Sequence, residues 1–279
     1  MGDLLFEDAE TARSYQDYRP NYSGLGIEKE VLSFMGQAYE QPGNVDTIAL
    51  DIGCGTGQLT RALAPLFKKM IGIDRSKSQI DVAKGVTKEK NIEYLVNVAE
   101  DLSFLQDNSI DLISTAAAVH YFEPEPFLAE VDRVLKPGGC FLVLLFAVKG
   151  IFLTSATNND DINNKCEDIM EDIRKTTYSV FKKGSNKVIS SGSYSLPDYP
   201  DRHHFQLTSK RRYDHLDEFV GFLKSLGTLK LYNEQHPEEG DQIERIKKRL
   251  RLAVATSSST QEISPVVLNC MFNCYMYRK

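Results

Sequence analysis

The sequence predicts an α/β fold, a mostly parallel sheet of seven strands with helices on both faces and a cap inserted late in the chain. Three observations carry this. Short apolar runs alternate with helical periodicity from about residue 45 to Phe146. The first run, Ile48–Ile52, passes directly into a glycine-rich turn and then a helix. A lone strand pattern, Val266–Tyr277, closes the chain, as a last antiparallel strand would.

The N-terminal segment carries Tyr15, Tyr18, Arg19, Pro20 and Tyr22 and reads as a surface arm docked by its tyrosines. A helix follows over about Ile27–Ala38, broken by Gln41-Pro42-Gly43-Asn44. Next come Ile48–Ile52, a buried strand, and Gly53-Cys54-Gly55-Thr56-Gly57. Glycine at every second position lets the backbone turn tightly and approach a ligand where a Cβ would intrude. Gln58–Phe67 is expected as the helix that completes this anion- or nucleotide-cradling unit, with Leu59, Leu63, Leu66 and Phe67 on one face.

Lys69–Asp74 reads as a second buried strand ending in a carboxylate. An acid there can accept hydrogen bonds from both hydroxyls of a ribose. The competing role for Asp74 is to cap the next helix, Ser76–Lys84, but Ser76 already supplies a cap. That helix is expected to close at Gly85. Ile92–Val96 is a third strand and Ile110–Thr115 a fourth. Pro124–Leu135 is a helix, stopped by Lys136-Pro137-Gly138-Gly139 ahead of a fifth strand, Cys140–Phe146. Beyond it lie the polar patch Asn158–Asp161, a helix over Ile162–Phe181 and the loop Leu196–Pro200. Phe205–Tyr213 is then extended, Leu216–Leu226 and Glu238–Ala255 are helices, and Ser257–Ser259 is a loop. The Lys- and Arg-rich face of 238–255 reads as solvated.

A dinucleotide fingerprint would place glycine at position 58, which is Gln58. Asp51-x-Gly53-x-Gly55-x-Gly57 instead resembles the first motif of class I S-adenosylmethionine-dependent methyltransferases. The resemblance implies a Rossmann-like sheet and S-adenosylmethionine as cofactor, with Asp51, Gly53, Gly55 and Gly57 at its methionine end and Asp74 at its ribose. The family commonly sets an acid against the adenine. Aligning on Ala99-Glu100-Asp101-Leu102 puts Val98 at that position, so the backbone of Val98 and Ala99 would hold the adenine, with Glu100 or Asp101 as a stand-in. Leu135-Lys136-Pro137-Gly138-Gly139 before an apolar strand resembles the same enzymes.

Within that family, the stretch Tyr15–Tyr22 resembles the opening of trans-aconitate-type methyltransferases, which makes a lid the alternative to a docked arm. His120-Tyr121-Phe122 resembles the His-Trp-Phe of trans-aconitate and juvenile-hormone-acid methyltransferases, with Tyr121 in place of tryptophan. His120 becomes the candidate catalytic polar group, or else a histidine satisfied by backbone at a strand end. Tyr18, Arg19, Tyr121 and Arg212 become candidate substrate contacts. Arg212–Leu226 resembles the family's strand and helix around the substrate, although its usual Trp-Ser pair stands here as Leu226-Gly227. The implied organisation is an arm and helix over 1–44, a cofactor-binding core over 45–148, a substrate cap over 149–206 and the rest of the core sheet over 207–279.

Methyl transfer from a sulfonium mainly requires holding nucleophile and methyl in contact and excluding water. A carboxylate acceptor needs no base at neutral pH, whereas an amine or hydroxyl usually does. No carboxylate–histidine dyad stands out by spacing, so a small carboxylic acid is the favoured acceptor. His120 and one of Lys210, Arg211 or Arg212 would neutralise it. The alternatives are N- or O-methylation of an amine or hydroxyl metabolite, or cofactor binding without turnover.

Composition bounds the remaining classes. A net charge of −6 and a pI near 5.5 argue against a general nucleic-acid binder. Met1–Glu10 lacks the apolar segment of a signal peptide, and no apolar run is long enough to span a bilayer. The five cysteines, Cys54, Cys140, Cys166, Cys270 and Cys274, read as buried free thiols of a reducing cytosol. No metal is implied. A cytoplasmic monomer acting on a small molecule is the expectation.

Overall fold

The structure is a computed structural model that describes residues 6–36, 46–153, 160–181, 199–255 and 265–279. The expected turn at Gln41–Asn44, Asn158 and Asn159 of the polar patch, most of the Leu196–Pro200 loop and the Ser257–Ser259 loop lie outside them.

Seven strands form one sheet: β1 (Ile48–Ile52), β2 (Lys69–Asp74), β3 (Ile92–Val96), β4 (Ile110–Ala116), β5 (Leu135–Leu153), β6 (Asp201–Tyr213) and β7 (Val266–Arg278), in the order β3-β2-β1-β4-β5-β7-β6. β1 is central and pairs in parallel with β2 and β4, setting Asp51 opposite both Gly72 and Ser114. β2 with β3 and β4 with β5 are also parallel. β7 runs the other way. The Gly138 amide donates to the Lys279 carbonyl (2.9 Å) and the Lys279 amide to the Gly139 carbonyl (3.0 Å), so the end of β7 meets the start of β5. The pairs Asp201–Arg278 and Gln206–Asn273 set β6 antiparallel to β7.

The chain divides into two compact units. The sheet unit holds Asn21–Phe146, Lys187–Leu207 and Phe272–Lys279. Alternate residues of its strands face opposite sides. Leu50, Ile52, Ile71, Ile73, Ile113, Phe141 and Val143 pack with Phe127, Val131 and Val134 of helix α5 (Pro124–Val134). On the other side Tyr94 and Cys54 pack with Ile80 and Ala83 of helix α4 (Lys77–Val86). Helices therefore cover both faces, as parallel strands require. Helix α2 (Ile27–Met35) also belongs to this unit and stops at Gly36, whose φ of +90° suits a glycine C-cap.

The helical unit holds Met1–Pro20, Ala147–Asn186 and Thr208–Met271. Helix α1 (Ala9–Tyr18) packs on α7 (Leu216–Lys224), and α6 (Asp160–Phe181) packs on α8 (Gly227–Gln235) and α9 (Gln242–Ala255). The segment read as an arm is thus largely helical. Asp8 accepts from the Thr11 amide at 2.7 Å as the N-cap of α1, and Arg19 turns extended because it precedes Pro20. Among the described residues no helix is long and apolar enough to cross a membrane.

Several element boundaries differ from expectation. The helix after β1, α3, spans Gln58–Leu63 and tightens to a 3₁₀ turn over Ala64–Leu66, which contains Pro65. Helix α4 runs through Gly85 and ends where Thr87 turns extended. Strand β5 starts at Leu135 and runs on to Leu153. Its register jumps from Ile110↔Leu135 to Leu112↔Cys140, so Lys136-Pro137-Gly138-Gly139 is an irregularity within the strand. Lys136 is tied there to the Asp111 carboxylate at 2.8 Å. Helix α8 was not anticipated: Leu226-Gly227 opens it without a side-chain cap.

Candidate functional site

The glycine turn leaves the carboxyl end of β1, where open α/β sheets bind ligands. Gly53, Gly55 and Gly57 have φ values of +67°, +54° and +78°, a left-handed sequence that side chains resist. Crowding adds to the requirement. A Cβ at Gly53 would sit 2.5 Å from the Ala118 Cβ and 3.0 Å from the Phe122 ring, and one at Gly57 would overlap the Tyr94 hydroxyl. The turn is tied to β2 at two points. The Cys54 amide donates to the Ile73 carbonyl (2.9 Å), and the Gly55 amide donates to the Asp74 carboxylate (2.9 Å). The other Asp74 oxygen accepts from the Ser76 amide at 2.8 Å, while Ser76 itself caps α4 through the Gln79 amide.

Asp51 lies below the turn, 1% exposed. Its oxygens accept from the Thr60 hydroxyl on α3 (2.6 Å) and the Ser114 hydroxyl on β4 (2.8 Å). Burial raises its pKa to about 6 against the opposing pull of these two bonds, and nearby Asp74 adds to the rise. Burial likewise raises the Cys54 thiol.

At the end of β4, Ala117 adopts φ +51°, an uncommon conformation for a residue with a side chain. It swings the chain into a 3₁₀ turn over Val119–Tyr121, where the Tyr121 amide donates to the Ala118 carbonyl. His120 and Tyr121 are half-buried, with ring centroids 4.1 Å apart. After β3, Val98 is 41% exposed and Ala99 is buried. The Glu100 carboxylate accepts from the Glu123 amide (2.9 Å), and Asp101 accepts from the Ser103 amide (3.0 Å), so both acids have local partners.

The structure thus brings Asp51, Gly53, Gly55, Gly57 and Asp74 together, and keeps Val98, Ala99, His120 and Tyr121 in the same unit. Tyr18, Arg19 and Arg212 belong to the helical unit. The Tyr18 ring packs on Gly221, and its carbonyl accepts from the Tyr213 hydroxyl at 2.7 Å. Arg19 reaches the Ser225 hydroxyl (2.9 Å) and carbonyl (3.1 Å). Arg212 is exposed and paired with Asp214 at 2.6 Å, and Arg211 donates to the Asp17 carbonyl. Sequence reasoning missed Thr60, Ser114, Tyr94, Ala118 and Phe122. None belongs to the glycine motif; Ala118 and Phe122 had a signal, since both fall in the segment 116–122 at the end of the fourth strand, where open α/β sheets bind ligands.

The turn fits a nucleoside cofactor on structural grounds. The left-handed glycines Gly53 and Gly55 are only half-buried, an acid stands at the tip of the neighbouring strand, and the fully buried Thr56 hydroxyl in the turn has no hydrogen-bond partner among the described residues. Residues 50–143 match the family described as a methyltransferase domain. This stretch is a methyltransferase domain. The glycine turn Gly53–Gly57 and Asp74 both fall inside it. A Dictyostelium discoideum protein named as a methyltransferase is 34% identical over 150 residues, 54% of this chain and 51% of its own length. A Saccharomyces cerevisiae protein named as an S-adenosylmethionine-dependent methyltransferase is 33% identical over 131 residues, 46% of this chain and 42% of its own. The chain therefore spans about half the length of these relatives. A solved structure from Anaeromyxobacter dehalogenans, titled a type II methyltransferase, shares the fold of the methyltransferase domain and its surroundings. Its TM-score is 0.63 at 22% identity, over 92% of this chain and 97% of that one.

Proposed function

We propose that the whole chain transfers a methyl group from S-adenosylmethionine to a small-molecule acceptor, and that the acceptor is a carboxylate. The observation that carries methyl transfer is the left-handed glycine turn hydrogen-bonded to Asp74 at the tip of β2. When bound, S-adenosylmethionine supplies an electrophilic methyl on a sulfonium. Gly53–Gly57 would hold its methionine end, Asp74 its ribose, and Val98 with Ala99 its adenine. Asp51 would act through the turn, because it is buried at 1% exposure with Thr60 and Ser114 on its oxygens, whereas Asp74 is only half-buried. The engaged state of Asp51, Asp74, Glu100 and Asp101 supports an acceptor that needs no proton acceptor. His120 and Tyr121 are the groups nearest in sequence to the end of β4 that would meet it. Tyr18, Arg19 and Arg212 remain candidate acceptor contacts only alongside the structural partners described above.

The test is transfer of label from methyl-labelled S-adenosylmethionine to a panel of small acids, amines and phenols. A carboxylate acceptor gives a methyl ester that mild base cleaves, at a rate flat with pH above neutrality. A labelled product that survives base treatment removes the carboxylate reading in favour of an amine or hydroxyl. Cofactor binding with no transfer to any pool would leave a binding protein.

A further inference from the structure

Tyr94 is a mid-strand tyrosine on β3, 5% exposed, and two glycines give way to it. A Cβ at Gly72, on β2, would lie 2.7 Å from two atoms of its ring, although the backbone of Gly72 needs no glycine. A Cβ at Gly57, in the turn, would overlap its hydroxyl. The ring therefore stands between a strand and the last glycine of the turn. A phenylalanine would fill this space without burying a hydroxyl, and a buried hydroxyl is unfavourable unless hydrogen-bonded. Here the Thr87 hydroxyl, at the end of α4, donates to it at 3.1 Å. Arg61 lies within 3.5 Å of that Thr87 oxygen and donates to the Thr56 carbonyl at 2.6 Å. Thr56 sits between Gly55 and Gly57. The hydroxyl of Tyr94 is thus one end of a polar chain that grips the turn's own backbone.

We propose that Tyr94 is a positioning residue for the cofactor: its ring sets the height of Gly57, and its hydroxyl, through Thr87 and Arg61, fixes the Thr56 peptide. This rests on the reading of Gly53–Gly57 as the cofactor cradle. A tyrosine that merely fills the core would matter to stability and not to the turn.

The experiment compares the wild type with Tyr94→Phe, Tyr94→Leu, Gly72→Ala and the Gly72→Ala/Tyr94→Leu pair. Three quantities are read: S-adenosylhomocysteine affinity by calorimetry, melting temperature, and hydrogen exchange of the Gly55 and Gly57 amides without ligand. Loss of one hydrogen bond in Tyr94→Phe should weaken binding about three- to tenfold and lower the melting temperature by no more than a few degrees. Tyr94→Leu should weaken it more and speed exchange at the turn. Gly72→Ala, which pushes on the ring and lies 3.1 Å from the Cys54 sulfur, should weaken binding alone and by clearly less in the Tyr94→Leu background. Wild-type affinity and exchange in both Tyr94 variants, or additive effects of Gly72→Ala and Tyr94→Leu, would overturn the proposal. Tyr94→Phe decides the matter if Tyr94→Leu does not fold. A wild type that binds no S-adenosylhomocysteine removes the cofactor reading, while the exchange measurement, which needs no ligand, still judges Tyr94.

Discussion

The buried carboxylate of Asp51 accepts a 2.6 Å hydrogen bond from the Thr60 hydroxyl, joining the end of β1 to the helix that follows the glycine turn. With Ser114 on its other oxygen, Asp51 ties α3, β1 and β4 at one point. The sign of its pH effect follows from burial. Its folded pKa of about 6 lies above the ordinary 3.8. Below about pH 4 both folded and unfolded chains keep the proton, and Asp51 has no pH effect there. Between about pH 4 and 6 the unfolded chain releases it first, so stability falls with rising pH by about 3 kcal/mol and then levels. Asp51→Asn should remove this part of the profile. Urea unfolding from about pH 4.5 to 7.5 checks it, and parallel profiles for the two proteins would disprove the assignment.

Gly53 and Gly138 both have positive φ, +67° and +80°, but only Gly53 is crowded. Gly138→Ala should cost about 1–2 kcal/mol of strain and leave cofactor affinity alone. Gly53→Ala adds a collision with Ala118 and should lower S-adenosylhomocysteine affinity at least tenfold. Calorimetry on the two variants gives the contrast directly.

Asp74→Ala removes the acceptor of the Gly55 amide and, in the proposed site, of the ribose. Hydrogen bonds to a charged group contribute about 1.5–3 kcal/mol, so affinity should drop about ten- to a hundredfold. Unchanged calorimetric affinity would withdraw Asp74 from the ribose.

Arg19 separates two roles. If it serves to hold α1 onto Ser225 at the end of α7, Arg19→Ala should lose about 2 kcal/mol and several degrees of melting temperature. S-adenosylhomocysteine affinity should stay at the wild-type level. An unchanged melting temperature with impaired turnover would instead make it an acceptor contact.

What the sequence made legible was what glycine and hydrophobic periodicity encode. Asp51-x-Gly53-x-Gly55-x-Gly57 gave the turn because glycine alone adopts left-handed backbone without steric cost, three times in five residues here, and Asp74 followed from its place at a strand end. Tyr94 stayed hidden because a tyrosine in Ile92–Val96 is ordinary strand composition; only the three-dimensional neighbours, Gly57 and Gly72, reveal its role. Lys136-Pro137-Gly138-Gly139 looked like a terminator because turn residues are shared by loops and strand irregularities. Arg19 and Arg212 looked like ligand cations since charge alone does not say whether Ser225 or Asp214 already holds them.

All five cysteines are buried and free, and burial raises Cys140 and Cys166 to about 11 and Cys270 and Cys274 to about 12. A thiol-specific reagent can therefore act only when structure around it opens. Cys54, Cys140 and Cys274 fall in the sheet unit, Cys166 and Cys270 in the helical one. The chain consequently carries native clocks in both units, and the order in which its thiols are labelled under native conditions, read by mass spectrometry, times the opening of each unit without any engineered probe.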